Sequence, residues 1–380
     1  MPRIYVRAGV RRAGLYCIQM PIQDRGLAEA GSRQRIDSVD VVRGVIMIVM
    51  ALDHTRDYFA PLASSPTNLA TTTAPLFLTR GFWLIALEFT VFKVVIQFNF
   101  DYSVTVLTVL WAIGWCLVAL SALVYLPVRF VAAVGAVMIV GHNLLDPVRA
   151  ATFGAFAPLW TALHAPGFLL QGKHLVFAAY PLIPWIGVAA VGYALGVVYD
   201  WDAPRRQRFL LRGGFALCVG YVVLRAVNVY GDPSRWATQK STLFTVLSFL
   251  NTTKYPPSLL FLLMTLGPAL LLLRAFDARV PALFRPTLVI GKVPLFYFIM
   301  HFFLIHALTV VVSLARFGDA HGMFQSPSLD RYPISPPPGW PVSLPVVYAI
   351  WMGVVVAMYP LCRWFAGVRA RRKEWWLSYL

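Results

Sequence analysis

The side chains best suited to chemistry stand on one predicted helix, where polar residues recur at helical spacing. Five residues, separated by 3, 4, 3 and 4 positions, share one face of this helix: Asp40, Arg43, Met47, Met50 and His54. Histidine exchanges protons near neutral pH, and a neighbouring carboxylate can orient it. His54, next to Asp53, is therefore the first candidate for proton transfer. The alternative is a helix end with polar interfacial caps.

Three further polar clusters follow along the chain. One contains His142, Asn143 and Asp146, the second contains Asn228 and Asp232, and the third contains Asn251 and Lys254. We treat all seven residues as candidate substrate-binding residues. The alternatives are helix capping for the first cluster, a turn for the second and snorkelling of Lys254 at the mouth of a span.

The sequence gives no indication of a metal site. The four cysteines (Cys17, Cys116, Cys218 and Cys362) are scattered and have no metal-ligand spacing. His301 and His306 are five positions apart, which places them on different helix faces, and we expect His164 and His174 to be loop residues. No nucleotide-binding loop or hydrolase motif is present.

The composition is that of a membrane protein. Of 380 residues, 59% are hydrophobic and 13% are charged, against about 25% charged in soluble domains. This excludes a soluble enzyme, a disordered chain and a fibrous protein. The net charge of +17 is typical of cytoplasmic loops in such a protein, so we expect no nucleic-acid partner.

The fold class predicted is an all-α, polytopic transmembrane bundle of about nine spans, since a span needs about 20 apolar residues. We predict spans at 36–54, 81–100, 104–126, 128–145, 176–199, 208–228, 256–274, 287–314 and 341–363.

The basic residues predict the orientation. Those at 205–208, 274–285 and 369–373 mark cytoplasmic loops and a cytoplasmic C-terminus. This orientation puts His54 and the later polar clusters on the outer side and favours a shared pocket there. A bacterial cytoplasmic (inner) membrane is expected. Residues 1–34 read as a basic cytoplasmic arm, 35–365 as the membrane domain and 366–380 as a basic tail.

The charges conflict with the span count near residue 80. The basic N-terminal arm predicts a cytoplasmic N-terminus, and the C-terminus is also predicted to be cytoplasmic. An odd number of spans, such as nine, would place the two termini on opposite sides of the membrane. We expect residues 60–80 to be too polar to cross the membrane again. Either the first helix is not a full span or one hydrophobic segment is missing there.

The segment from Arg35 to Gly44, continuing through Met50 to Asp53 and His54, resembles the opening signature of the heparan-alpha-glucosaminide N-acetyltransferase catalytic domain family. The segments 142–146, 228–233 and 251–257 look like its bacterial branch, whose members carry one more span near residue 80. The resemblance covers roughly residues 33–315. It implies a helical bundle that takes acetyl-CoA from the cytosol and transfers the acetyl group to a sugar or glycan acceptor on the far side.

The resemblance places His54 nearest to the catalytic histidine of the family, although the animal enzyme has its histidine farther into the loop that follows. A pantetheine arm would follow the polar face, about 21 Å long between Asp40 and His54, with the CoA phosphates near Arg43. Asn143 and Asn251 are candidates to polarise the thioester carbonyl. The alternatives are a transporter or lipid-binding protein with a polar path through Asp40, Arg43 and His54, or an inactive relative that lacks one span.

Overall fold

The computed structural model describes residues 70–326, 328, 332–340 and 343–372, and over these residues the protein is mostly helical. The helices are α1 (Ala70–Leu87), α2 (Lys93–Gln97), α3 (Val109–Leu123), α4 (Val128–Gly141), α5 (Ala157–Leu163), α6 (Leu182–Leu195), α7 (Ala203–Val227), α8 (Thr242–Leu250), α9 (Leu259–Asp277), α10 (Arg285–Gly291), α11 (Pro294–Phe317) and α12 (Leu344–Arg371).

Among the described residues, six helical segments are long and apolar enough to cross a membrane. They are Val128–Leu145, Leu182–Asp200, Ala203–Val227, Leu259–Asp277, Pro294–Phe317 and Leu344–Arg371. Each falls on a span predicted from the sequence, and together they indicate an integral membrane protein. The predicted span 36–54 and the N-terminal arm 1–34 lie outside the described residues.

The helix near residue 80 starts earlier than the predicted span 81–100. Helix α1 begins at Ala70, and a π-helical turn, Glu88–Phe92, joins it to α2. Residues 70–80, predicted above to be too polar to cross, are therefore helical. Within this segment the Thr79 hydroxyl donates to the carbonyl oxygen of Leu76 at 3.2 Å, so the preceding turn satisfies it.

Three antiparallel helix pairs pack closely, and each pair crosses at two facing glycines. The pairs are Gly81 with Gly114 (α1 and α3), Gly135 with Gly187 (α4 and α6), and Gly214 with Gly267 (α7 and α9). A Cβ at Gly81 would lie 2.6 Å from Gly114 O, and one at Gly135 would lie 2.7 Å from Gly187 O. Small residues thus let the backbones approach closely, as in many membrane helix pairs.

A small sheet, which was not predicted from the sequence, accompanies the helices. Its strands are β1 (Val104–Leu107), β2 (Gly167–Leu170) and β3 (Leu175–Ala178), in the order β1-β3-β2. Strand β3 pairs parallel with β1 and antiparallel with β2. The first residues of the predicted spans 104–126 and 176–199 therefore form strands and not helices. Pairing between the strands gives their backbone N–H and C=O groups hydrogen-bond partners without a helix.

The two ends of the bundle differ in character. At one end, which we call the arginine end, Arg206 pairs with Asp277 in two hydrogen bonds of 2.9 and 3.1 Å, and Arg369 donates to Lys292 O at 3.0 Å. At the other, which we call the site end, the C-termini of α4 and α7 meet the N-termini of α6 and α9. Helix α12 runs through residue 366, where the tail was expected to begin, to Arg371.

Candidate functional site

Seven of the candidate residues lie at the site end, and the other four lie outside the described residues. Asp40, Arg43, Asp53 and His54 belong to the latter group. The described site is therefore built from the clusters at 142–146, 228–234 and 251–259, together with residues that were not singled out from the sequence.

Asn143 joins the first cluster to the third. Its side-chain oxygen accepts a hydrogen bond from the backbone N–H of Leu259 at 2.9 Å, and its amide nitrogen donates to Asp146 Oδ2 at 2.9 Å. The Asn143 residue is 7% exposed. Leu259 is the first residue of α9, where backbone N–H groups have no partner inside the helix. Asn143 thus ties the end of α4 to the start of α9.

His164, expected from the sequence to be an ordinary loop residue, is buried against Asp146. Its Nε2 lies 3.4 Å from Asp146 Oδ1, and its side chain is 3% exposed. Because a carboxylate only accepts, this contact favours a proton on Nε2 and leaves a lone pair on Nδ1. The buried Nδ1 has no hydrogen-bond partner among the described residues.

His142 offers a second ring nitrogen in the same place. Its Nδ1 lies 3.0 Å from the carbonyl oxygen of Ile139 and donates to it, since a carbonyl only accepts. Its Nε2 is buried without a partner in the described part of the chain. The centroids of the His142 and His164 rings are 6.4 Å apart. The two lone pairs can therefore accept hydrogen bonds from a hydroxyl or an amine.

Asp232 organises the loop that leads to α9. Its carboxylate accepts hydrogen bonds from Ser234 N at 2.7 Å, from Thr253 N and Thr253 Oγ1 at 2.8 Å each, and from Ser258 Oγ at 2.7 Å. Ser258 also accepts from Phe261 N at 3.1 Å and so caps α9. Asp232 is therefore a positioning residue for the loop from Asn251 to Ser258.

The two candidate asparagines of these loops take part in hydrogen bonds that involve backbone groups of neighbouring segments. Asn228 ends α7 in the left-handed conformation, with φ of 57°, and its side chain bonds to both backbone groups of Trp236 at 3.0 and 3.2 Å. Asn251 caps the C-terminus of α8, and its carbonyl oxygen accepts a hydrogen bond from Arg225. Its backbone N–H donates to Leu247 O at 2.9 Å, so the described hydrogen bonds of Asn251 are made by its backbone.

Arg225 is a site-end residue that was not predicted from the sequence. It is 1% exposed and donates to the carbonyl oxygens of Ser234, Ser248, Phe249 and Asn251. These bonds tie the end of α8 to α7. Its position inside the predicted span 208–228 could have identified it from the sequence. A charged side chain inside a span raises the free energy of the protein unless polar partners compensate for it.

Lys254 and Tyr255 occupy the middle of the loop. The Lys254 ammonium lies 5.0 Å from the centroid of the Tyr255 ring, and burial lowers the pKa of Lys254 to about 8. The Tyr255 hydroxyl lies 3.1 Å from the Tyr180 hydroxyl. Burial and the neighbouring Tyr255 raise the pKa of Tyr180, and burial raises the pKa of Tyr255, so both hydroxyls are neutral at physiological pH.

Glu88 and Lys93 are two further buried charged residues that were not predicted, although both stand inside the predicted span 81–100. The Glu88 carboxylate accepts from Thr108 N at 2.7 Å and from Trp111 N at 3.2 Å, at the N-terminus of α3. Lys93 donates to Gln97 and to Val104 O. The π-helical turn brings these polar groups to the interior side of the helix.

Three other described histidines contact backbone carbonyl oxygens at separate places. His301 Nδ1 lies 2.9 Å from Tyr297 O, whereas His306 Nε2 lies 2.8 Å from Met323 O. His174 is exposed and contacts Tyr102 O at 3.1 Å. Within the described ranges, no three His, Cys, Asp or Glu side chains are grouped so that they could hold a metal ion.

The chain has no match among protein-family models, curated proteins or solved structures.

Proposed function

We propose that this chain is an integral membrane acyltransferase of the heparan-alpha-glucosaminide N-acetyltransferase type. It moves an acetyl group from cytosolic acetyl-CoA to a sugar or glycan acceptor on the outer side of a bacterial cytoplasmic membrane. In this proposal the site end faces outward and the N-terminal arm is cytoplasmic, so the first helix runs from Arg43 on the inner side toward His54 on the outer side.

One observation carries the proposal: polar residues far apart in the sequence meet at one end of an apolar bundle. Asn143 reaches Leu259, and Asp232 reaches Thr253 and Ser258. The cluster includes His142 and His164, each buried with one ring nitrogen that has no hydrogen-bond partner among the described residues. Such an arrangement suits binding of a hydroxyl or amine beside a proton acceptor.

The arginine end supports the proposed orientation. Arg206, Arg274 and Arg369 belong to loops and helix ends on that side, and basic residues mark the cytoplasmic face of bacterial membrane proteins. The CoA phosphates would meet Arg43 and these basic loops, while the acetyl group would travel along the polar face of the first helix toward the site end.

The transfer has a simple balance. The acceptor oxygen or nitrogen attacks the thioester carbonyl, the C–S bond breaks, and the acetyl group forms an ester or amide. His54, with Asp53 as its neighbour, takes the acceptor proton, and the CoA thiolate leaves and is protonated. The ring nitrogens of His142 and His164 hold the acceptor, with Asp146 orienting His164.

A transport path through Asp40, Arg43 and His54 is the competing function, and these residues lie outside the described part of the chain. Glu88 and Lys93 are buried ionisable groups of the described part that would extend such a path. However, Glu88 is bonded to the first amides of α3, and Lys93 to Val104 O. These contacts brace α1, α2, α3 and β1 against one another, as structural groups do.

Binding of CoA separates the two functions. The purified protein in detergent is heated with and without millimolar CoA, and adenosine serves as the control ligand. We expect CoA to raise the melting temperature, because a ligand that binds the folded state stabilises it. An unchanged melting temperature with CoA would overturn the acyltransferase proposal and favour the transporter.

A further inference from the structure

Helix α8 has two faces that differ sharply in their surroundings. Its outward face consists of large apolar side chains that are about half exposed or more: Leu243 (65%), Phe244 (60%), Val246 (49%), Leu247 (48%) and Leu250 (47%). Most of these positions are three or four apart, which is the pattern of a single apolar stripe on a helix.

The inward face fixes the helix firmly to the bundle. Ser248 Oγ accepts from Ala237 N at 3.2 Å, and Thr245 Oγ1 accepts from Gln239 N at 2.9 Å. The Phe249 ring packs edge-on against Tyr221 and Trp236, at centroid distances of 5.9 and 5.6 Å. The outward orientation of the apolar stripe is therefore set by the fold.

The position of α8 along the membrane normal follows from its neighbours. It connects α7 to α9, two helices long enough to cross a bilayer, at the end where α7 finishes and α9 begins. The segment that leads into it carries two exposed cations, Arg235 and Lys240. A short helix with an apolar face and cations beside it is the pattern of a helix that lies in the membrane interface.

We propose that the outward face of α8 is a lipid-binding surface, with its apolar stripe among the acyl chains at the site-end leaflet and Arg235 and Lys240 at the lipid phosphates. The occupant is the phospholipid monolayer itself. Apolar burial favours this placement, and the cations complement the phosphates.

This surface is joined directly to the candidate site. Arg225 binds the carbonyl oxygens of Ser248, Phe249 and Asn251, at the end of α8. Asn251 is followed by the loop that Asp232 holds through Thr253 and Ser258. Lipid contact on α8 therefore positions this loop at the depth of the headgroups. The lipid surface itself does not rest on the proposed acetyl transfer.

Spin labels measure this placement. The variants Leu243→Cys and Leu247→Cys are labelled with a nitroxide and reconstituted into vesicles of phosphatidylcholine and phosphatidylglycerol. Gln239→Cys, in the exposed segment before the helix, is the matched control, and the wild-type chain carried through the same labelling gives the background from native cysteines. Each label is then measured for collision with oxygen, which partitions into lipid, and with a water-soluble nickel chelate.

We expect the labels at 243 and 247 to collide more with oxygen than with the nickel chelate, and the label at 239 to show the reverse. Greater collision with the chelate at 243 and 247 would place the face in water and overturn the proposal. Shielding from both reagents would also overturn it, since a second copy or another protein would then cover the face. Because both side chains are exposed, their replacement leaves the packing of α8 intact.

Discussion

The side-chain oxygen of Asn143 accepts a hydrogen bond of 2.9 Å from the backbone N–H of Leu259, a residue 116 positions later in the chain. This contact joins the C-terminal end of α4 to the first turn of α9. Through the second amide hydrogen bond, to Asp146, it also reaches the carboxylate that orients His164. One amide side chain thus links a helix junction to the polar site.

Replacement of Asn143 by alanine tests this link. Asn143→Ala leaves the buried Leu259 amide without its acceptor, and a buried group left unpaired costs about 1–3 kcal/mol. We expect a clearly lower melting temperature of the purified protein. Asn99→Ala is the control, because Asn99 donates to Phe324 O at an exposed position, and we expect a smaller decrease there. An equal decrease in both variants would contradict the role of Asn143.

Removal of the Asp232 carboxylate is expected to loosen the loop from Asn251 to Ser258. Asp232→Ala deletes the acceptor of the Thr253 N–H, so hydrogen exchange at that amide should accelerate. Hydrogen–deuterium exchange with mass spectrometry of the loop peptide measures this. Asp319→Ala, which removes a local acceptor for His321 N, provides the control. Unchanged exchange in the loop of Asp232→Ala would show that other contacts hold it.

A glycine-to-alanine substitution is expected to lower the stability at a helix crossing and not at an open position. In Gly135→Ala the new methyl would lie 2.7 Å from Gly187 O, and such overpacking costs about 1–3 kcal/mol. In Gly353→Ala nothing lies within 4 Å, and alanine is favoured over glycine in a helix by about 0.5–1 kcal/mol. Thermal unfolding in detergent should therefore show a loss for Gly135→Ala and no loss for Gly353→Ala. A stable Gly135→Ala protein would contradict the close crossing.

Lys254 predicts a dependence of stability on pH. Burial lowers its pKa in the folded protein to about 8 from an ordinary value of 10.5. Between these values the unfolded state binds more protons than the folded state, so this residue makes the protein more stable as the pH rises from 8 to 10.5. Melting temperatures over this range, for the wild type and for Lys254→Met, measure the contribution. We expect the variant to gain less stability with rising pH, and parallel curves would contradict the assignment.

Much of the fold follows from local sequence. Hydrophobic runs of span length predict the helices around α4, α6, α7, α9, α11 and α12, because a bilayer admits few other structures for such segments. The strands β1 and β3 were assigned to spans because Val104–Leu107 and Leu175–Ala178 are as apolar as the helices that follow them. Their pairing is a contact over about seventy positions, which no local pattern reveals.

The site was accessible to sequence reasoning only in part. The polarity of Asn143, Asp232 and Lys254 in an apolar chain indicates their importance, whereas their partners depend on the fold. His164 has no local feature that separates it from His174, yet the first is buried beside Asp146 and the second is exposed. Arg225 and Glu88 could have been selected from the sequence, because each is a charged residue within a predicted span. Their backbone partners could not be predicted, because these contacts depend on the three-dimensional fold.

The most direct test of the central claim is the transfer of labelled acetyl groups. Proteoliposomes receive labelled acetyl-CoA and a panel of sugars and glycans, and the label on each acceptor is measured. The wild type should label an acceptor, and His54→Ala should lower kcat about 10²–10⁴-fold, the usual contribution of a general base. His164→Ala should mainly raise the KM for the acceptor, and His174→Ala, at an exposed histidine, should match the wild type. Transfer by His54→Ala at the wild-type rate, or no labelled acceptor with the wild type, would contradict the account.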